Sequence, residues 1–380
     1  MAPRILIVGG SIGGLFAAVL LHRAGFDVRV TERSVHGLEG RGAGLVAQRE
    51  VFDILREVGV EHLAHVGVTA HERIYLDRAG DIIHRQRTPQ TQLSWDVLFR
   101  TFRQLLPDAR YEIDRPAVSV AQAPDGARVT YADGRAAQAN LVIGADGVGS
   151  TLRAAVNGAG SRPTYVGYAT WRGLVPEAEV PAVAAEQLFE RFAFYEMPGS
   201  HILGYLVPGP DGSTTPGQRR YNWVWYRHYT PDELDGVLTD IDGVRRPFSL
   251  APGRVRPDVA AAMKSDSARL LPPAFAAVVA AEPRPFLHAI FDYAPPQMIS
   301  GRVALMGDAA FVARPHTAMG VAKAAGDAFA LRDALTHAPD VDAALAAYAA
   351  ERAPVGAAIV AYGQRLGGSL GEPDTIIKPR

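Results

Sequence analysis

Four short segments combine residue types and spacings that suit chemistry. The first is Gly9-Gly10-Ser11-Ile12-Gly13-Gly14, with Glu32 placed 23 residues after Gly9. A glycine turn between a strand and a helix lets the backbone approach a pyrophosphate, where free N–H groups and the helix dipole favour negative charge. Gly9, Ser11, Ile12, Gly13 and Gly14 are therefore candidate phosphate-cradle residues, and Glu32 is placed to bond a ribose hydroxyl. Arg33 fits either a surface ion pair with Glu32 or a place beside the same ribose. Ser11 stands where the pattern has its closest-approach glycine, and its hydroxyl could bond a phosphate.

The first motif alone does not separate FAD from NAD. Asp146-Gly147 and Gly307-Asp308 each follow an apolar run, and Pro315-His316-Thr317-Ala318-Met319-Gly320 leads into a long Ala-rich stretch. An extended dinucleotide needs a second anchor far from the first, and an Asp at a strand end could hold ribityl hydroxyls. A helix starting at Met319, Gly320 and Val321 could stabilise negative charge on a reduced flavin ring. The plainer readings are a helix cap for Asp308 and an ordinary Asp-Gly turn for Asp146. No His-Glu-x-x-His or Gly-x-Ser-x-Gly pattern occurs, so no metal site or serine nucleophile is expected.

The surrounding elements suit these roles. Arg4 to Val8 reads as a buried parallel strand, Leu15 to Ala24 as a helix stopped by Gly25, and Phe26 to Thr31 as a second strand. Leu141–Gly144 and Val303–Met306 share the buried-strand texture. Between about 165 and 230, alternating aromatic segments separated by Pro/Gly turns read as an antiparallel sheet.

Composition narrows the classes. The 380 residues hold 39 Lys+Arg against 40 Asp+Glu, with no basic excess for a nucleic-acid partner. There is no cysteine, which excludes disulfides, thiol catalysis, Cys-ligated zinc and iron–sulfur clusters, but not redox chemistry on an organic cofactor. Only three lysines occur, Lys264, Lys323 and Lys378, so an arginine here is weaker evidence for phosphate binding than usual. No uncharged run reaches the ~18–20 residues of a membrane span, and the N-terminus lacks a signal-peptide layout, so a soluble cytoplasmic protein is expected.

Taken together, these motifs resemble the group A flavoprotein aromatic monooxygenases, which have the para-hydroxybenzoate hydroxylase fold. Gly-Gly-Ser-Ile, Trp171-Arg172-Gly173, Asn222 to Arg227 and Arg314-Pro315-His316-Thr317 are similar to the 2,6-dihydroxypyridine hydroxylase subgroup. The resemblance implies an α/β fold. In it a Rossmann-type FAD-binding domain (1–70, 95–164 and 286–330) is interleaved with a mainly antiparallel substrate domain (71–94 and 165–285), followed by a C-terminal helical segment (331–380).

It also implies bound FAD, NADH or NADPH as a transient co-substrate, and oxygen. NAD(P)H reduces the flavin, and a flavin hydroperoxide hydroxylates a small electron-rich ring of hydroxypyridine or phenol type. A loop beside the flavin maps to Gly42-Ala43-Gly44, with Gln48 beyond. Asp146-Gly147 maps to a motif linked to FAD and NAD(P)H, Gly307-Asp308 to the second FAD anchor, and Pro315 through Gly320 to the flavin loop, where Ala318 and Thr317 replace glycines. A family arginine has Arg100 and Arg103 as candidate counterparts.

Catalytic candidates are His316 and Pro315 in the flavin loop, and His201 and Tyr205 on the strand expected over the substrate. Tyr195 and Trp223 are further candidates to face substrate. Trp171-Arg172 is expected to supply packing and a buried ion pair, and Arg314 could attract an anion. A monomer or homodimer is expected. Alternatives are the same flavin chemistry used for oxidative decarboxylation, dehalogenation or epoxidation, a flavin-free nicotinamide dehydrogenase, or a non-catalytic flavin-binding protein.

Overall fold

The computed structural model describes residues 3–35, 38, 44–46 and 48–368. Gly42 and Ala43 of the expected flavin-side loop lie outside this range. Along the chain the elements that bear on the site are β1 (Arg4–Val8), α1 (Ile12–Arg23), β2 (Asp27–Thr31), β3 (Gly44–Val46), β4 (Glu72–Leu76), β5 (Gln90–Ser94) and α2 (Trp95–Leu105). They continue with β6 (Leu141–Gly144), α3 (Leu152–Asn157), β7 (Thr164–Pro176), β8 (Arg191–Met197), β9 (Ser200–Val207) and β10 (Arg220–His228). The last are β11 (Phe286–Asp292), β12 (Val303–Leu305), α4 (Gly307–Ala310), α5 (Gly320–His337) and α6 (Val341–Gly367).

A parallel core of β12, β6, β1 and β2 forms the centre of a six-stranded sheet. Strands buried on both faces read as unbroken apolar runs, which is why Ile5, Ile7, Val142 and Ile143 are all fully covered. β12 pairs with β6 although some 160 positions separate them, so both ends of the chain build one sheet. The carboxyl ends of these strands deliver Gly9, Glu32, Asp146 and Gly307 to one edge, the place where open α/β sheets bind ligands. Helix α1 is apolar all round and buried from Leu15 to Leu21, so it anchors the glycine turn rigidly.

The second large sheet has eight strands, with β11, β7, β10, β9, β8 and β4 in consecutive order. All of these pairings are antiparallel except β8 with β4. The expected return to the FAD-binding part at 286 differs from this pairing. Phe286–Asp292 hydrogen-bonds to β7, so the antiparallel sheet extends to residue 292.

The sheet's two faces divide by the period-two alternation of strands. Trp171, Trp223, Trp225 and Ile202 point to one side, into a core shared with Met263, Phe275 and Val278 of two covering helices. The register places three cross-strand rows on the other face. They are Arg73–Phe192–Tyr205–Asn222–Leu174, then Tyr75–Phe194–Leu203–Val224–Arg172–Phe286, then Glu196–His201–Tyr226–Thr170–His288.

Helix α6 is long and apolar enough on length and composition to cross a membrane. Its Leu345, Tyr348 and Val360 nevertheless pack into the main core, and Arg352 pairs with Asp327 of α5 at 2.8 Å, as in a helix that covers a core.

Candidate active site

The glycine turn is built for close approach. Gly9 has φ +110°, a conformation that L side chains rarely adopt, and a Cβ at Gly14 would overlap the Gly9 carbonyl oxygen. The Glu32 carboxylate accepts hydrogen bonds from the Gly10 and Ser34 N–H groups at 2.8 and 2.9 Å, which ties the end of β2 to the turn. No side chain caps the start of α1, so its first N–H groups stay open to a phosphate. Arg33 is exposed. Tyr111 donates to the Gly10 carbonyl at 2.9 Å, and Arg103 lies 4.5 Å over its ring, so Arg103 supports this end of the site. Arg100 instead bonds the Pro210 carbonyl. Gly14→Ala is expected to push α1 off the turn and to cost about 1–3 kcal/mol of stability together with flavin retention. Urea unfolding and the ratio of flavin to protein absorbance measure both.

Asp146 is used by its own turn. Its carboxylate accepts from the Ser150 hydroxyl at 2.5 Å and from the Thr151 N–H at 2.7 Å, and burial pushes its pKa up. The residue that joins this turn to the Gly307 turn is Arg153, which is 1% exposed and bonds carbonyls of Val148, Gly147, Asp308 and Ala309. It stands seven residues after Asp146, but only the fold shows that its fork spans two loops. Asp308 keeps a half-exposed carboxylate, held at 3.0 Å by Lys323. Lys323 is 2% exposed and also bonds the Phe311 carbonyl. Its rarity in an arginine-rich chain was a signal in the sequence.

At the far end, the flavin-loop segment closes against the antiparallel sheet. Gln48 donates to the Ala318 carbonyl at 3.1 Å, and Tyr205 donates to the Gly44 carbonyl at 3.3 Å. A Cβ at Gly44 would meet the Tyr205 ring, so a glycine is what permits this approach. Ala318 has φ +53°, which explains why a glycine suits the position, and the Met319 N–H bonds the Thr317 hydroxyl at 3.2 Å. Helix α5 then begins at Gly320 and Val321 with no side-chain cap.

The His316 ring stacks on Tyr226 with centroids 4.5 Å apart and lies 5.5 Å from the His201 ring. Its Nε2 is 3.0 Å from the Tyr168 hydroxyl. Pro315 opens the short helical turn that carries His316. Burial lowers the His201 pKa to about 4. Burial also holds His316 well below the usual imidazole range, with His201 and Arg314 adding to the effect. Both rings are therefore neutral at pH 7.

Three expectations are corrected. Trp223 and Tyr195 belong to the core cluster on the opposite side of the sheet from His201 and Tyr205, so they do not face the substrate side. Arg314 is bound to Asp292 through both carboxylate oxygens, the shortest contact being 2.8 Å, so its charge is already answered. Trp171 packs as expected, its Nε1 donating to Tyr229 at 2.7 Å, but Arg172 makes no ion pair among the described residues.

The chain is similar to known proteins. The "FAD binding domain-like" family matches residues 165–292, and the "FAD binding domain" family matches 291–362. The 2,6-dihydroxypyridine 3-monooxygenase of Paenarthrobacter nicotinovorans is 35% identical over 343 residues, covering 90% of this chain and 85% of that protein. The 3-amino-4-hydroxybenzoate 2-monooxygenase of Streptomyces cremeus is 36% identical over 218 residues, 54% of each chain. The solved structure of 2,6-dihydroxypyridine-3-hydroxylase from Arthrobacter nicotinovorans superposes with a TM-score of 0.92 at 32% identity, covering 100% of this chain and 95% of that one.

Proposed function

The chain belongs to the FAD-binding monooxygenases, and from that premise we propose that it hydroxylates a small hydroxypyridine or phenol, with NAD(P)H and oxygen as co-substrates. The observation that carries this reading is the meeting of the Pro315–Gly320 loop with the inner sheet face, where His316 stacks on Tyr226 and the His201 ring lies tilted beside both.

The residues present fit FAD. The Gly9–Gly14 turn has no room for side chains at Gly9 and Gly14 and leaves the α1 N-terminus uncapped, as a diphosphate requires. We assign the Gly9–Gly14 turn and Glu32 to the adenosine diphosphate end, and Asp308 with Lys323 to the middle. Gly44, Gln48 and residues 318–321 are assigned to the ring end, where the uncapped α5 N-terminus favours negative charge. When bound, FAD supplies electron transfer from NAD(P)H and activation of oxygen. We assign residues 1–70, 95–164 and 293–330 to the FAD-binding part and 71–94 with 165–292 to the substrate part.

The chain's own groups prepare the substrate. Neutral His201 and His316 can each accept a hydrogen bond from a ring hydroxyl and so raise the ring's electron density, and their lowered pKa values suit them to polarise or pass on that proton rather than to keep it. The Tyr168 hydroxyl holds His316 Nε2, which leaves Nδ1 without a partner among the described residues. Phe192, Phe194, Tyr205 and Tyr226 line the inner face with apolar surface that excludes water.

The test is oxygen-coupled NAD(P)H oxidation over a panel of phenols, hydroxypyridines, hydroxyquinolines and purines. The expected result is a yellow protein whose oxygen uptake rises with one ring class and whose product gains one oxygen atom. Hydride transfer without oxygen uptake, or a protein that cannot be loaded with FAD, overturns the reading. Product mass separates hydroxylation from decarboxylation, dehalogenation and epoxidation.

Lys323→Met is expected to weaken FAD binding by about tenfold, because the Asp308 carboxylate would then face a diphosphate with no compensating ammonium. Fluorescence titration of the apoprotein with FAD measures it, and an unchanged Kd would show that Lys323 only packs.

A further inference from the structure

The inner face of the antiparallel sheet carries an arginine, Arg172, that has neither an ion pair nor a side-chain hydrogen bond among the described residues. Arg172 sits in the middle row, opposite Val224 on β10 and Phe286 on β11. Its Nε is buried without a hydrogen-bond partner, and its guanidinium makes no ion pair among the described residues. The nearest aromatic contact is the Phe286 ring, with its centroid 5.8 Å away. Arg314 pairs with Asp292 and Arg220 with Asp96, while Arg73, whose Nε is likewise unpartnered, donates from its Nη2 to the neutral Gln90 at 2.7 Å. A buried N–H with no partner is costly to keep, and Arg172, half-buried, has no side-chain hydrogen bond to offset it among the described residues.

A second orphan lies beside it. Asn222 is 0% exposed, and neither its Oδ1 nor its Nδ2 has a hydrogen-bond partner among the described residues. It lies directly across from Tyr205 and diagonal to Arg172 on the same face, a spacing within reach of long side chains. The field of Arg172 reaches Tyr205, Tyr226 and His288, which places its charge among the aromatic residues of this face. The three imidazoles here, His201, His288 and His316, are all neutral at pH 7 because burial lowers their pKa values.

We propose that Arg172 and Asn222 form the recognition site for a substrate that binds as an anion. A ring oxyanion of a hydroxylated aromatic or N-heteroaromatic compound lies on the Arg172 guanidinium, and an adjoining ring N–H or carbonyl meets the Asn222 carboxamide. The inference rests on the aromatic hydroxylase reading and adds to it the ionic form of the substrate. It also gives the sheet a division of labour: the arginine holds the anion that the neutral imidazoles help to form.

The test uses the FAD-loaded protein and perturbation of its flavin absorbance on binding. The probes are 2,6-dihydroxypyridine, 3-amino-4-hydroxybenzoate and, as a control that cannot ionise, 2,6-dimethoxypyridine. Wild-type protein is expected to bind an ionisable probe more tightly as pH rises through that probe's own pKa, and chloride is expected to compete with it. Arg172→Met should weaken that probe by roughly 10- to 100-fold, leave the dimethoxy control unchanged and flatten the pH dependence. Arg172→Lys should recover part of the loss, and Asn222→Leu should raise KM more than it lowers kcat. Equal affinity for the ionisable probes in wild type and Arg172→Met overturns the inference while the hydroxylase reading stands. If Arg172→Met fails to load FAD, the wild-type data decide, and binding that ignores both pH and chloride overturns it. Binding of no probe, with no oxygen-coupled turnover on the wider panel, overturns both readings together.

Discussion

Replacing Arg153 with methionine is expected to leave a protein without flavin, destabilised by about 3–5 kcal/mol. The guanidinium is almost wholly buried and faces four backbone carbonyls rather than a carboxylate. Nε bonds Ala309 O at 3.0 Å, Nη1 bonds Val148 O at 2.7 Å, and Nη2 bonds Asp308 O at 2.7 Å. The plane also lies 4.6 Å from the Tyr293 ring centroid. Methionine fills much of the volume but leaves the buried Ala309 carbonyl and the part-buried carbonyls of Val148, Gly147 and Asp308 without this donor, and each orphaned buried group costs about 1–3 kcal/mol.

The consequence reaches function because the clasp spans two loops. Val148 belongs to the Asp146 turn and Asp308 to the second expected FAD anchor, so their spacing depends on one planar fork. Lysine keeps the charge but not the fork, and Arg153→Lys is expected to recover little. Urea unfolding followed by tyrosine and tryptophan fluorescence gives the stability change, and flavin absorbance after gel filtration gives retention. Wild-type values for both in Arg153→Met would show that the clasp is dispensable.

The clasp also shows where sequence reading ends. The glycine turn, Glu32 and the Gly307 turn were legible because each is a local strand–loop–helix pattern with its chemistry inside a few residues. The four-stranded parallel core followed from the same local texture. The faces of the antiparallel sheet were not legible, and β10 shows why. Every residue from Arg220 to Tyr226 is buried, so no alternation of polar and apolar types marks the phase. A one-residue change of phase exchanges the faces, and Trp223 falls on the core side while Asn222 and Val224 fall with Tyr205 and Arg172. The sheet to which Phe286–Asp292 belongs was hidden for a related reason, since the segment has the texture of any buried strand and its partner lies about 120 positions earlier. Arg314 and Asp292 likewise meet only through the fold.

Stability is expected to fall steeply as pH drops below about 6.5, well above the range in which ordinary carboxylates titrate. Burial lowers the His201 pKa to about 4 and the His288 pKa to about 3, and it lowers His316 as well, with His201 and Arg314 contributing. Arg172 adds to the effect at His288. Between roughly pH 4 and 6.5 the unfolded chain therefore binds protons on these imidazoles that the folded protein refuses. The sign follows directly: the contribution is complete above the unfolded value of about 6.5 and is lost as pH falls toward the folded values. Three such groups give a slope of at most about 4 kcal/mol per pH unit. Glu196, across the strand pair from His201, and Asp146 act the other way, because burial raises their carboxyl pKa values and the folded state takes their protons first. The measured slope should accordingly be smaller but of the same sign. His288→Phe should reduce it by about 1.4 kcal/mol per pH unit, since it removes one refused proton and leaves the neighbouring rings of His201 and His316 in place. Urea unfolding at pH 7.5, 6.5, 5.5 and 5.0 tests the slope, and a midpoint that stays flat across that range would mean the imidazoles are charged in the folded protein. That outcome would also remove the proton acceptors from the inner face, so the same titration bears on the chemistry assigned to His201 and His316.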